Sequence, residues 1–318
     1  MQSYLIRRLL RGLLTMLISV TLTFLILRLM PGDPTLLVAD TRMTEELRQS
    51  LLKLYGLDKP LIVQYGVYIR ELLRGNLGLS FRQLQPVSEI LMARLPWTLL
   101  LTGSSFVLTI LLGIPLGVVA AVRRGRLADR VINAFSIVGC AVFVPWLAIT
   151  LLYFFGYRWS LFPIGGAQDI GVEGLEKVIS VAYHLVLPVV TLVIINLASY
   201  VLFLRTSMID VLHEDFIRTA RAKGLAERVV TYKHALRNAF LPTLTMMGLQ
   251  LGYLVGGAVL TETVFAYPGL GRLIYESVTQ LDYPVLQGAF ILLAFTVIIA
   301  NIFTDWAYGI LDPRIRYE

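Results

Sequence analysis

The chain has 318 residues, 57% of them hydrophobic and 15% charged, with a formal net charge of +7, and its mean hydropathy is +0.73. A soluble domain of this length needs far less apolar surface to fill a core, so the composition is that of a polytopic membrane protein. Lys and Arg are scattered between apolar runs, which reads as topology signals and not as a nucleic-acid footprint; the single cysteine, Cys140, excludes an internal disulfide and a cysteine metal site.

A spanning helix needs about 20 mostly apolar residues. Six segments reach that length: 9 to 30, 97 to 122, 131 to 156, 185 to 204, 239 to 261 and 285 to 308. The expected fold is therefore all-α with six transmembrane helices and both termini on one side. The first segment is basic and then apolar, as a secretory signal would be, but it has no small-residue cleavage pattern before Pro31. It is expected to remain a helix.

Residues 31 to 96 form a small external region between helices one and two, nearly neutral with eight Lys and Arg against seven acids. Within it, TEELRQSLLKLYG predicts an amphipathic helix from Thr44 to Gly56, with acids at its positive end and leucines at 47, 51, 52 and 54. PLIVQYGVYIRELLRG predicts a second, opened by Pro60 and closed by Gly75. The remaining residues, 97 to 318, make a five-helix core interrupted by a polar loop at 205 to 238.

Inside the core, Gly113 and Gly117 stand one turn apart in the second span, as do Gly252 and Gly256 in the fifth. Small residues at this spacing let helix backbones approach closely, either within one chain or at a dimer seam. The neutral polar residues Asn196, Ser199, Gln250, Gln287 and Asn301 have two open roles, lining a solute path or bonding neighbouring helices. Ionisable residues sit at span ends, as Arg28, Glu262 and Asp305 do, so the midplane carboxylate or histidine of a proton-driven transporter is missing.

Enzyme chemistry finds no support either. His184, His213 and His234 are isolated, with no HExxH spacing for zinc and no GxSxG elbow for a nucleophile. There is no GxxxxGKS or GxxxxGKT loop to cradle ATP. Any energy the chain uses must come from somewhere else, which leaves room for a partner.

The loop supplies the place for one. EDFIRTARAKG reads as a helix with Glu214 and Asp215 at its start, Arg221 and Lys223 near its end, and Gly224 as a left-handed stop. A second helix is expected from about Ala226 to Arg237. With small Ala220 and Ala222 set among cations, this helix-turn-helix is shaped to enter a cleft on another protein.

By the positive-inside rule the loop is cytoplasmic. With the N-terminus inside, sixteen of the 28 Lys and Arg fall on the cytoplasmic side, against Arg158, Lys177 and Arg272 in the two short outer connections.

RTARAKGL followed by KHALRNAFLP resembles the cytoplasmic signature of ABC importer permeases of the dipeptide, oligopeptide and nickel branch. MPGDP, GNLGLSF, ETVFAYPGLGRL and LDPRIR extend the resemblance over essentially the whole chain. It implies a bacterial inner-membrane subunit, with both termini cytoplasmic, that pairs with a second permease and rests on two cytoplasmic ATPases. An external solute-binding protein would deliver the solute. ATP and magnesium would be bound by the ATPases, leaving no cofactor in this chain.

In such importers the loop carries a coupling helix held in a groove of an ATPase. Here the contact would use Arg218, Thr219, Ala220, Arg221, Ala222, Lys223, Gly224 and Leu225. The general importer pattern opens Glu-Ala-Ala and later has Leu-Pro. Arg218 and Thr219 replace its first two residues and Leu236 is followed by Arg237, which suits the peptide and nickel branch.

Di- or oligopeptides are the expected solute, because neutral polar groups and backbone-sized gaps suffice to line their path. Nickel or another small solute is the alternative within the class; a stand-alone channel or a membrane-embedded enzyme is the alternative outside it.

Overall fold

A computed structural model describes residues 2–29, 59–253 and 258–311. The predicted Thr44–Gly56 helix, MPGDP, Gly256 and nearly all of LDPRIR lie outside the described residues. The described fold is helical, with one isolated β-bridge between Leu79 and Pro86. In chain order the helices are α1 (Gln2–Leu29), α2 (Leu61–Leu73), α3 (Val87–Val122), α4 (Leu127–Ala141), α5 (Val144–Leu151), α6 (Gly174–Leu212), α7 (Asp215–Ala222), α8 (Leu236–Tyr253), α9 (Val259–Val264), α10 (Leu270–Thr279) and α11 (Tyr283–Leu311). Wider π-helical turns extend α5 through Leu152–Arg158 and lead into α8 through Val230–Ala235.

Among the described residues, α3, α6 and α11 up to Ile302 are each long and apolar enough to cross a membrane. The third predicted span, 131 to 156, is not one helix: α4 and α5 meet at an angle of 106° and make a fourth crossing only if taken together. Val142 and Phe143 are both extended at the break (ψ 130° and 121°). Pro145 follows, where its missing N–H suits a helix start and cannot continue the helix before it. Helix α1 holds a shorter apolar stretch, Leu10–Ile26, and the predicted fifth span runs through residues outside the description.

The chain divides into two compact units, Met1–Pro96 with Gly269–Thr296, and Trp97–Pro268 with Val297–Glu318. In the first, α2 starts after Pro60, and Gly75 (φ +79°) follows its end. Helix α2 lies on α1 through aromatic contacts. Phe24 takes the edge of Tyr65 at 5.3 Å and stacks on Tyr68 at 5.5 Å, and the Tyr65 hydroxyl bonds Thr21 Oγ1 at 2.7 Å. Burial of the Tyr68 hydroxyl, with Tyr65 beside it, pushes its pKa up to about 12.

The GNLGLSF segment is held in the same unit by a buried carboxylate. Asp282 accepts from Ser80 Oγ at 2.5 Å and from the Phe81 N–H at 3.1 Å, while Ser80 Oγ accepts from the Gln83 N–H at 2.9 Å. Helix α11 comes against the start of α3 at Gly288, where a Cβ would stand 2.6 Å from Val87 Cγ1.

In the second unit α6 is the hub. Val189, Val193, Leu197 and Val201 share a core with Leu101 of α3 and Tyr267. Gly113 lets Leu197 and Tyr200 approach α3, and at Gly117 an added Cβ would lie 3.0 Å from Leu204. These two glycines therefore pack helices of one chain; the surroundings of Gly252 are outside the described residues. Glu262, fully buried in α9, accepts from Thr98 Oγ1 of α3 at 2.7 Å. A charged residue predicted only to sit near a span end is thus enclosed and hydrogen-bonded.

Candidate functional site

The loop at 205 to 238 is built around α7, eight residues long. Glu214 precedes it in an extended conformation, and Asp215 in its first turn suits the positive helix end. Its other end closes as a Schellman turn: the Gly224 N–H donates to the Arg221 carbonyl (2.9 Å) and the Leu225 N–H to the Ala220 carbonyl (3.4 Å). Gly224 has φ +76°, as the sequence predicts, and nothing stands within 4 Å of where its Cβ would be. The glycine is required by backbone geometry alone.

Helix α7 has two faces. Ile217 and Ala220 point inward and pack with Val118 and Ala121 of α3, Leu204 and Met208 of α6, Val230, Ala235, and Ala239 of α8. At about 25 cal/mol per Å² of apolar surface, burying Ile217 alone contributes about 2 kcal/mol. Arg218, Thr219, Arg221, Ala222, Lys223, Gly224 and Leu225 are exposed. Of the eight residues expected to meet a partner, Ala220 is the one the fold turns into its own core.

The outer face is ordered by ion pairs. Arg221 Nε donates to Glu227 Oε1 at 2.8 Å and its Nη2 to Oε2 at 3.4 Å, across the turn, and Arg218 pairs with Asp215 at 3.2 Å. Such exposed pairs contribute about 0.2 to 1 kcal/mol. The second helix of the loop is not separate: the turn Glu227–Val229 runs through Val230–Ala235 directly into α8. A membrane-type helix therefore begins inside the loop.

Sequence reasoning missed three residues of this base. Ile217 is the sole large aliphatic residue in EDFIRTARAKG, three positions before Ala220, and that spacing marks a buried face. Buried Asp129 and half-buried Arg205 form an ion pair: Arg205 Nε donates to Oδ1 at 2.6 Å and Nη2 to Oδ2 at 2.9 Å. The signal was a lone acid among arginines in RRGRLADR and a lone cation near the end of an apolar helix.

The residues read as a possible path are in part brought together. Asn196 is half-buried and Ser199 exposed, one turn apart on α6, and Ser199 Oγ lies 3.5 Å from Cys140 Sγ of α4. Asn301 is exposed on α11, and the Gln250 side chain is outside the description. Among the described residues no group of His, Cys, Asp and Glu is placed to hold a metal ion.

The chain matches known proteins along its length. Residues 113–317 match the family described as "Binding-protein-dependent transport system inner membrane component", and residues 1–102 match "Binding-prot-dependent transport system membrane comp, N-term". It is 38% identical over 318 residues, 100% of both chains, to the oligopeptide transport system permease protein AppB of Bacillus subtilis (strain 168). It is 37% identical over 338 residues, again 100% of both, to the dipeptide transport system permease protein DppB of Escherichia coli (strain K12). The glutathione transport system permease protein GsiC of Salmonella choleraesuis (strain SC-B67) is 39% identical over 322 residues, 100% of both.

Among solved structures, the inward facing MetNI methionine ABC transporter shares the fold, with a TM-score of 0.56 at 19% identity over 71% of this chain and 97% of that one. The apolar spanning helices, the ordered loop and these full-length matches agree, and the chain belongs to the binding-protein-dependent transport system inner membrane components.

Proposed function

We propose that this chain is a membrane subunit of an ATP-driven peptide importer, and that α7 is the helix through which partner ATPases move it. The observation that carries the proposal is the two-faced build of α7. Its inner face is packed on α3, α6 and α8, so a push on it reaches three long helices. Its outer face presents Arg218, Thr219, Arg221, Ala222, Lys223 and Leu225 for a groove on another protein. Relatives described as oligopeptide, dipeptide and glutathione permeases support peptides as the solute.

In this reading two cytoplasmic ATPases bind ATP and magnesium, a second permease completes the path, and an external binding protein delivers the solute. Both termini and α7 are cytoplasmic, consistent with the placement of Lys and Arg. Asn196 and Ser199 on α6, with Asn301, line the passage, where neutral amides and hydroxyls can exchange hydrogen bonds with a peptide backbone.

The test is Gly224→Val in the importer reconstituted with its ATPases and binding protein. A β-branched residue at φ +76° is strained, so the Schellman turn opens while the membrane helices remain. ATP hydrolysis is expected to continue, with dipeptide uptake falling at least tenfold and membrane insertion unchanged. Uptake equal to that of the parent protein overturns the proposal.

A further inference from the structure

Helix α4 is fixed to α6 at two places along its length. At one end, Asp129 is 4% exposed and its carboxylate accepts the Arg205 guanidinium through two bonds of 2.6 and 2.9 Å. The Gly125 N–H adds a third bond to Oδ2 at 2.8 Å, which ties in the turn before α4. Ten residues on, about 15 Å along a helix, Gly139 lies bare against α6: a Cβ there would stand 2.7 Å from Ala198 Cβ and 3.4 Å from the Ile194 carbonyl oxygen. The pairs 129 with 205 and 139 with 198 run in opposite chain directions, so α4 and α6 are antiparallel partners.

Arg205 also sits within the stretch of α6 that seats α7. Its neighbours Leu204 and Met208, 1% and 0% exposed, pack in the same core as Ile217 and Ala220. The ion pair therefore joins α4 to the part of α6 that moves if α7 is pushed.

Stability alone does not account for this arrangement. An ion pair with a buried carboxylate and a half-buried guanidinium loses part of its Coulomb attraction to desolvation, and an apolar pair of similar volume would hold two helices as well. A bidentate guanidinium–carboxylate bond adds geometry, because it is satisfied in one register and one orientation only. Fixing register is the best attested role of such groups.

We propose that Asp129 and Arg205 are positioning residues of the transport cycle: their bond makes α4, and the 106° bend that follows it into α5, travel with α6 when the partner ATPases displace α7. This rests on the importer reading given above. Without the bond, α7 would still move α6, while α4 could lag or slip against it at the smooth Gly139–Ala198 contact.

Paired spin labels test this in the complete importer in proteoliposomes, in a Cys140→Ser background. Labels are placed at Val131→Cys on α4 and Leu175→Cys on α6, both exposed positions, and the distance is measured before and after trapping with ATP and vanadate. In the parent protein the distance distribution is expected to stay unchanged on trapping. In Asp129→Asn it is expected to shift on trapping, on the order of one helical turn or about 5 Å, with fewer dipeptides imported per ATP hydrolysed. The exchange Asp129→Arg with Arg205→Asp restores both. If Asp129→Asn does not accumulate in the membrane, Arg205→Lys, which keeps the charge and loses the fork, replaces it.

A distance that changes in the parent protein overturns the proposal, as does one that stays fixed in both single variants. Nucleotide trapping is read separately. Failure to trap vanadate with the ATPases present refutes the importer reading itself, and with it this inference.

Discussion

Helices α3 and α6 are both long and apolar, yet their outer faces differ over the second half of α6. From Thr98 on, helix α3 buries the polar residues Thr98, Thr102, Ser105 and Thr109 and shows Leu99, Leu100, Val107, Leu108, Leu111 and Leu112 outward. Helix α6 does the same in its first half, burying Ser180, His184 and Thr191 and showing Val178, Ile179 and Val190 outward, but from Ser199 on it leaves Ser199, Phe203, Thr206 and Asp210 in one open stripe. An outer face of leucines suits hydrocarbon, where a polar group finds no partner. An open face carrying hydroxyls suits water or another subunit. The difference teaches that in this protein hydropathy locates a helix in the bilayer, and the side on which its few polar atoms lie separates a lipid wall from a working surface.

The strongest way to break the contrast is to change what each helix packs against. Gly139→Leu drives a side chain into Ala198 of α6, where a Cβ alone would be at 2.7 Å. Overpacking of this kind costs about 1 to 3 kcal/mol, and the thermal unfolding midpoint of the purified complex is expected to fall clearly. Gly103→Leu on α3, where nothing lies within 4 Å, is expected to leave that midpoint unchanged. Equal effects at the two sites would remove the asymmetry.

Thr98→Val probes the polar side of α3. It deletes the 2.7 Å bond to the fully buried Glu262 and should cost about 1 to 3 kcal/mol, as the loss of a hydrogen bond to a charged group does. The same midpoint measurement detects it, and no loss would show that Glu262 does not depend on α3.

The smallest stability effects are expected on the two outer faces, and there function separates them. Leu108→Ala on α3 should change stability by about 0.5 kcal/mol or less, as substitutions away from packed features do, and Ser199→Leu on α6, which gives up the 3.5 Å contact with Cys140 Sγ, by about 1 kcal/mol or less. Ser199→Leu should nevertheless lower dipeptide uptake severalfold, because it narrows and dries the proposed passage, whereas Leu108→Ala should leave uptake at the parent level. Equal uptake in both variants would mean that the open stripe of α6 is not part of the route.

Much of this was legible in the chain. Pro60 and Gly75 bracket α2 as predicted, because proline suits a helix start and glycine its exit. The acids, cations and Gly224 placed α7 for the same local reasons. The bend between α4 and α5 was missed although Pro145 marks it, and the cause is informative: Pro188 lies within α6 and Pro242 within α8 without ending either helix. Whether a proline breaks a helix depends on what the freed backbone groups meet, and neighbouring helices supply that. Ala220 was read as an outward contact because its small size suits a groove. It suits the inner core equally, and only the phase of α7 on its support distinguishes the two.

The sequence by itself determined that this is an all-helical membrane protein with a glycine-stopped loop helix, because hydropathy, capping residues and local charge act over a few residues, and its motifs carried the resemblance to a transport family. The tertiary structure decided that Asp129 meets Arg205, that Glu262 is enclosed beside Thr98, and which face of α6 stays open. Those outcomes depend on residues far apart in the chain, whose pairing is set by helix packing and leaves no periodic trace in the sequence.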